Sequence, residues 1–207
     1  MTKKERQDDK EQTNMKLNAK QLRASEPTKS DLAKIKRRDI YIILDNVLDT
    51  YNIGSIFRLA DAVGAKCVYL CGQSETPPNS RIAKASVGCD KWVPWQYAST
   101  AVEEIEKLKG KFSTSLEQYS SSETKSNREV PLRVIAIEQS KNSVDFRKAD
   151  YKEPVAFVVG HETEGVSREA LKAADEIVEI PMYGANRSLN VMVSLAIILY
   201  KSLESLP

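Results

Sequence analysis

The 207-residue sequence has few cysteines, a single histidine and no long apolar run. Its longest apolar runs, such as VAFVV at 155–159, fall far short of the roughly 20 residues that a membrane-spanning helix needs. Cys67, Cys71 and Cys89 are odd in number and lack a paired CxxC spacing. We therefore expect buried thiols in a reducing, cytoplasmic compartment and no contact with a membrane. With His161 as the only histidine, we expect no metal, and a Ser-His-Asp nucleophile has no support.

The usual glycine-rich nucleotide-binding patterns are also absent from the sequence. Neither G-x-G-x-x-G nor G-x-x-x-x-G-K-[ST] occurs, so dinucleotide and P-loop sites lose their usual sequence support. The N-terminal residues mix both charges without an apolar stretch, and we do not expect them to act as a secretory signal. Hydrophobic residues make up 41% and charged residues 29% of the chain, which is typical of a globular domain.

The net charge of +2 conceals an uneven distribution along the chain. Residues 1–38 carry twelve Lys and Arg against six acids, whereas residues 39–207 carry an excess of acids. We predict a basic N-terminal extension over 1–38 followed by one domain over 39–207. A basic segment beside an acidic domain is typical of a contact with a polyanion, most often nucleic acid. A solvated tail that contacts nothing is the alternative.

Apolar strand patterns alternate with helical patterns, which predicts an α/β fold with a parallel sheet. The segment VAFVVG is apolar at every position, as expected of a central strand that is covered on both faces. We expect loops over LDTYNIG (48–54) and over Ser113–Glu129. The predicted strands are 40–47, 67–71, 133–138, 155–160 and 176–181, and DKWVPW at 90–95 is expected to be a strand or a strand-like turn. The predicted helices are 55–65, 82–88, 101–110, 167–175 and 188–206.

Three polar, glycine-containing segments follow predicted strands, where ligands bind in open α/β sheets. They are NIGSIFR at 52–58, GHETEG at 160–165 and IPMYGANRSLN at 180–190. Glycine at such a junction lets the backbone approach a ligand closely, although each glycine taken singly can also be an ordinary turn residue.

Polar side chains in these segments are the candidates for chemistry. Glu162 and Glu164 follow the most buried strand and need hydrogen-bond partners at that depth. Arg58 lies one turn into an amphipathic helix, where it either serves the site or points to solvent. Asn190 is expected one turn into the apolar C-terminal helix, with Ser188 as its N-cap, and capping alone is the alternative to a role for Ser188 in function.

At these residues the chain resembles the SpoU (TrmH-like) branch of the SPOUT RNA methyltransferases. NIGSIFRLADAVGA is similar to the first motif of that family, VVGHETEGVS to the second and IPMYGANRSLNVMVSLA to the third. The resemblance covers roughly residues 40–204, apart from a segment near 115–129. His161 stands where the second motif usually has Asn, and this raises the question of how its local hydrogen bonds are made.

The resemblance implies a trefoil-knotted parallel sheet flanked by helices, a homodimer, and S-adenosylmethionine as cofactor without a metal. It implies methylation of a ribose 2′-hydroxyl of tRNA or rRNA. Alternatives on the same fold are a base-methylating enzyme and a catalytically silent RNA-binding or assembly factor. By motif position, the expected cofactor-binding residues are Gly160, Gly165, Ile180, Met182 and Leu189, and the expected reaction-site residues are Asn52, Arg58, Glu162, Ser188 and Asn190.

An arginine guanidinium keeps its proton at physiological pH, which conflicts with a general-base role for Arg58. Two roles for Arg58 stay open at this point. Its charge can lower the cost of alkoxide character on the attacking oxygen, or it can bind a phosphate of the substrate.

Overall fold

Seven parallel strands and their connecting helices form the part of the chain that the computed structural model describes, residues 16–119 and 130–204. The strands are β1 (Arg38–Asp45), β2 (Ala65–Cys71), β3 (Trp95–Ala98), β4 (Arg133–Ile137), β5 (Val144–Asp145), β6 (Val155–Gly160) and β7 (Glu176–Glu179). The helices are α1 (Ala19–Ala24), α2 (Lys29–Ala33), α3 (Thr50–Ala62), α4 (Ser80–Ser86), α5 (Ala101–Tyr119), α6 (Arg168–Ala173) and α7 (Val191–Glu204), with a 3₁₀ turn at Cys89–Lys91.

The strand order is β3-β2-β1-β6-β4-β7-β5, and every pair is parallel. All six residues of β6 are buried, which confirms the predicted central strand. Asp45 at the end of β1 pairs in register with Gly160 at the end of β6. The carboxyl ends of these two strands therefore meet at one edge of the sheet.

Two apolar layers cover the faces of this sheet. Along β1, Ile42 and Leu44 point to the layer formed with α3, α4 and α7, whereas Tyr41 and Ile43 point to the layer formed with α5 and α6. This alternation follows from the two-residue period of a strand. The helices on both faces confirm the predicted α/β class. Within the described residues, none of the helices is long and apolar enough to cross a bilayer.

Helix α3 begins five residues earlier than the sequence pattern indicates. The carboxylate of Asp49 accepts a hydrogen bond from the Tyr51 amide at 2.8 Å and caps the helix, so Thr50 to Gly54 are helical and the predicted loop over 48–54 is wrong there. At the other end, Gly64 has a φ of +66°, which confirms the predicted helix end.

Helix α5 extends to Tyr119, past the glycine at which it was expected to end. Gly110 does not adopt the left-handed conformation that Gly64 adopts, so it weakens the helix without ending it. The predicted loop from Ser113 is therefore wrong as far as Tyr119, and its remainder, 120–129, lies outside the described residues, as do residues 1–15 of the predicted extension.

Helix α7 begins at Val191, later than predicted. The Asn190 Oδ1 atom accepts a hydrogen bond from the Met192 amide at 2.9 Å, so Asn190 takes the capping position that was expected for Ser188. Ser188 instead belongs to a turn in which its carbonyl accepts from the Asn186 side chain at 2.9 Å. The prediction that Ser188 caps the helix is wrong.

Candidate active site

A cleft of about 540 Å³ opens at the carboxyl ends of β4, β6 and β7. Its volume lies within the roughly 300–1,000 Å³ of small-molecule sites, and its place in the sheet is the one expected of ligand sites in open α/β folds. Its walls come from the end of β4, the loop after β6 and the long connection from β7 to α7. Two of the three sequence segments singled out above, 160–165 and 180–190, therefore meet in one place.

All five residues expected to bind the cofactor line this cleft. They are Gly160, Gly165, Ile180, Met182 and Leu189. Three of the residues expected at the reaction site, Glu162, Ser188 and Asn190, line it as well. The structure thus places eight of the ten candidates around one cleft, and the part that each plays there stays a prediction.

The loop after β6 is a tight turn that two glycines permit. The backbones of His161 and Gly165 exchange two hydrogen bonds of 3.0 and 2.9 Å. A Cβ atom on Gly160 would overlap the backbone of Gly165, and Gly165 itself has a φ of +72°. The close approach and the positive φ both require glycine, because a side chain has no room at the first position and is strained at the second.

His161 supplies hydrogen bonds within this turn. Its Nδ1 atom accepts from the amides of Thr163 at 3.0 Å and Glu164 at 3.1 Å. An Asn side-chain oxygen accepts from amides two residues ahead in the same way. The histidine therefore makes the contacts of the Asn usual at this position.

The Glu162 carboxylate joins this turn to the start of α3. It accepts hydrogen bonds from the amides of Leu48 at 3.1 Å and Asp49 at 3.0 Å, and from the Asn52 side chain at 3.0 Å. Partial burial alone would raise the pKa of Glu162, but these hydrogen bonds outweigh it and hold the pKa below its usual value. Glu162 is therefore ionised at neutral pH, and its observed contacts hold the loop before α3.

Asn52 is buried at 7% exposure and connects two of the motifs. Its side chain donates to Glu162 and accepts a hydrogen bond of 2.9 Å from the Asn190 Nδ2 atom. Asn52 does not itself line the cleft. It lies behind the wall and fixes two residues that do.

Arg58 lies apart from these residues. It is exposed, and six residues separate it from Asn52 on α3, or about 9 Å along the helix axis at 1.5 Å per residue. Its charge acts on Cys89 in the 3₁₀ turn. Among the described residues, Arg58 does not line the cleft of its own chain.

Two carboxylates that the sequence reasoning missed hold the backbone just after the glycine turn. Asp45 is buried and accepts a hydrogen bond of 2.8 Å from the Ser167 amide, just after the glycine turn. Glu138 accepts from the amides of Gln139 at 2.8 Å and Val166 at 2.9 Å. Both follow apolar strand segments, IILD and VIAIE, and an acid at the end of a strand was the signal that would have found them.

Within residues 16–119 and 130–204, no group of three His, Cys, Asp or Glu side chains is arranged to hold a metal ion. The charged groups that line the cleft are mainly carboxylates, among them Glu138, Glu164 and Glu179. The cleft therefore suits a ligand that carries positive charge together with an apolar portion.

Comparison with known proteins identifies the fold and its relatives. A model of the SpoU rRNA Methylase family matches residues 39–200. The tRNA (guanosine(18)-2′-O)-methyltransferase of Aquifex aeolicus is 32% identical over 168 residues, which cover 81% of this chain and 70% of that protein. The protein of the same name from Escherichia coli strain K12 is 32% identical over 170 residues, 81% of this chain and 64% of that one.

Solved structures agree with these sequence matches. The crystal structure of the A. aeolicus TrmH/SpoU tRNA modifying enzyme has a TM-score of 0.68 and 30% identity, covering 90% of this chain and 81% of that chain. The AdoMet-bound rRNA methyltransferase from Sinorhizobium meliloti has a TM-score of 0.66 and 28% identity, covering 90% and 60%. These likenesses confirm the predicted parallel sheet flanked by helices, and with the match over residues 39–200 they show that the chain belongs to the SpoU rRNA methylase family.

Proposed function

We propose that this chain transfers the methyl group of S-adenosylmethionine to a ribose 2′-hydroxyl of tRNA or rRNA. The observation that carries the proposal is the hydrogen-bonded chain from Asn190 through Asn52 to Glu162, which joins all three motifs at the edge of one cleft. Relatives named as 2′-O-methyltransferases of tRNA and of 23S rRNA support ribose as the acceptor in preference to a base.

The residues of the cleft fit S-adenosylmethionine. Ile180, Met182 and Leu189 offer apolar contacts for an adenine ring. The carboxylates of Glu138 and Glu179 supply negative charge toward a sulfonium and an ammonium group. The glycine turn adds backbone groups that a side chain at Gly160 would displace. When bound there, the cofactor supplies an activated methyl group.

The protein's own contribution is to position the reactants and exclude water. The turn at 160–165 and the connection at 180–190 are held to each other through Asn190, Asn52 and Glu162, so the two walls of the cleft keep a fixed spacing. Holding two reactants in attack geometry contributes about 7–11 kcal/mol to lowering a barrier. No general base is required of Arg58, whose exposed position outside the cleft favours the phosphate-binding role.

We also propose a homodimer built on α7 and the start of α3. Val193 and Tyr200 lie seven residues apart on one side of α7 and are 37% and 53% exposed. Leu48 and Tyr51, before and within the first turn of α3, are exposed as well. Large apolar side chains on two neighbouring elements favour burial against a second copy in a two-fold pair.

A cytoplasmic location is part of the proposal, supported by three free, buried cysteines, because disulfides are rare in that compartment. Burial raises the pKa of Cys67 and Cys89 to about 11 and that of Cys71 to about 12, so all three stay protonated and unreactive. The RNA substrates of the proposed reaction are found in the same compartment.

Analysis of the methylated nucleosides tests the proposed reaction. Unmodified tRNA and rRNA are incubated separately with the protein and S-adenosylmethionine, digested to nucleosides, and fragmented in a mass spectrometer. We expect the added 14 Da on the ribose fragment, and a heated protein sample serves as the control. Methyl groups on the base fragment, or no added methyl group on either RNA, would refute ribose methylation.

A further inference from the structure

Four basic side chains on α1, α3 and α4 are exposed on the side of the domain where α3 packs. They are Arg23, Arg58, Arg81 and Lys84, and we call them the basic surface. They come from parts of the sequence as far as 61 residues apart, so their proximity follows from the packing of three helices and not from a run of charges.

Close packing of α4 on α3 brings two parts of this surface together. A Cβ atom on Gly54 would come within 2.6 Å of the Ile82 carbonyl oxygen, so the two helices touch through their backbones. Arg58 follows Gly54 by one turn of α3. Arg81 and Lys84 lie one turn apart on α4, on the side away from the buried Ile82.

The N-terminal segment adds Arg23 because α1 is held against the end of α4. A Cβ atom on Gly88 would lie 2.5 Å from the Leu22 carbonyl oxygen. The Trp92 indole donates a hydrogen bond of 3.2 Å to the Ser25 hydroxyl, and Lys91 pairs with Glu26. Arg23 therefore has a fixed place beside the C-terminal end of α4.

The four cations lack acidic partners. In the described part of the chain, no carboxylate lies within ion-pair distance of any of them. Of the acids nearby, Glu26 is engaged by Lys91 and the buried Asp90 by Ser86. Asp61, one turn after Arg58 on α3, makes no ion pair with any of the four, and the charge that acts on it is that of Arg37. By contrast, Lys109 and Arg133 elsewhere in the domain pair with Asp175 and Glu176. On a domain that carries more acidic than basic residues, exposed cations without an acidic partner are the sites that attract an external anion most strongly.

We propose that the basic surface binds the phosphate backbone of the RNA substrate beside the cleft, an inference that rests on the proposed function. Helix α3 links the two regions, because Asn52 contacts the cleft wall and Arg58 follows about 9 Å along the axis. A strand whose ribose enters the cleft runs its neighbouring phosphates across α3 and α4. Such contacts fix the position of the RNA and add affinity without reading its bases.

The salt dependence of RNA binding in the full-length protein tests this surface. Each phosphate contact contributes about 0.7 to 0.9 to the slope of log K against log salt, because binding releases counterions. We expect the Arg81→Ala, Lys84→Ala double variant to weaken binding to unfractionated tRNA and to ribosomal RNA, titrated separately, and to flatten the slope by about 1.4 to 1.8.

A second double variant controls for net charge. Arg168 and Lys172 are exposed, lie one turn apart on α6, and belong to the layer on the opposite face of the sheet. The Arg168→Ala, Lys172→Ala variant loses the same charge, and we expect it to keep the slope of the unmodified chain. Equal slopes in both variants, whether flattened or unchanged, would overturn the proposal.

Calorimetry with S-adenosylmethionine separates this proposal from the proposed function. The Arg81→Ala, Lys84→Ala variant is expected to bind the cofactor as tightly as the unmodified protein does. If the protein methylates RNA while this variant keeps a normal salt slope, the basic surface is wrong and the enzyme assignment stands. If the slope flattens only in this variant but the protein neither binds the cofactor nor transfers methyl, the surface stands and the enzyme assignment fails.

Discussion

The Asn190 side chain donates a hydrogen bond of 2.9 Å to the side-chain oxygen of Asn52, 138 residues earlier in the chain. Asn190 also caps α7, and Asn52 also donates to Glu162. Each amide therefore serves two partners, and no single residue of the three can be replaced without leaving a polar group unpaired. This network fixes the three motifs relative to one another.

Replacing Asn52 with Ala should lower the free energy of unfolding by about 1–3 kcal/mol, because it leaves hydrogen-bonding groups of Asn190 and Glu162 without partners near a buried position. Denaturant titration measures the change. Asn142→Ala, at an exposed amide, is the matched control and should unfold like the unmodified protein. The same midpoint for both variants would show that the network does not stabilise the fold.

Glu162 should make stability depend on pH at the acid end. Its pKa in the folded chain is lowered from the usual value of about 4.5, so its contribution is fully present above that pH and is lost as the pH falls through the lower folded value. We expect the stability difference between the unmodified protein and Glu162→Gln to be constant above pH 5 and to shrink in more acidic solution. Urea titrations at successive pH values measure it, and a difference that does not change with pH would contradict this role.

Gly160→Ala should weaken binding of S-adenosylmethionine at least tenfold, since the added Cβ would overlap the Gly165 backbone and open the turn that lines the cleft. Calorimetry measures the affinity. Gly184→Ala is the matched control, because Gly184 belongs to the neighbouring connection and a Cβ there meets nothing within 4 Å. Equal affinities for the two variants would mean that the turn does not shape the binding site.

The sequence predicts most of the sheet because a central strand that is buried on both faces is apolar at every position, as in β6. It predicts the cleft through glycines at positions where a side chain does not fit or is strained, such as Gly160 and Gly165. It fails at helix ends, because a single capping side chain determines the residue at which a helix begins. Asp49 extends α3 backward, and Asn190 moves the start of α7 forward from Ser188.

Contacts between distant segments are the other feature that the sequence does not reveal. Asp45 and Glu138 each bind an amide next to the glycine turn, 122 and 28 residues away. No local pattern distinguishes them from any acid at the end of a strand. The position of Arg58 is a further case, because its motif implies the reaction site whereas α3 carries its side chain outside the cleft of the same chain.

The exposed apolar side chains of α7 should hold a dimer together. Light scattering at micromolar concentration is expected to give twice the 23.2 kDa mass of one chain. Val193→Asp combined with Tyr200→Asp should give a monomer, because each change places a charge in the interface. Tyr97→Asp, at an exposed position of strand β3, should stay dimeric. A monomeric mass for the unmodified chain would exclude the two-fold pair.

Mapping 2′-O-methylation across total RNA, with and without the gene for this chain, tests the enzyme assignment in the cell. The deletion strain is complemented with the unmodified gene or with Arg58→Ala. Because Arg58 lies outside the cleft, the purified variant should bind S-adenosylmethionine normally. It should lose methyl transfer, because the proposed contact of Arg58 with an RNA phosphate is absent. We predict that at least one ribose in tRNA or rRNA loses its methyl group on deletion and regains it only with the unmodified gene. Identical maps with and without the gene would contradict the account.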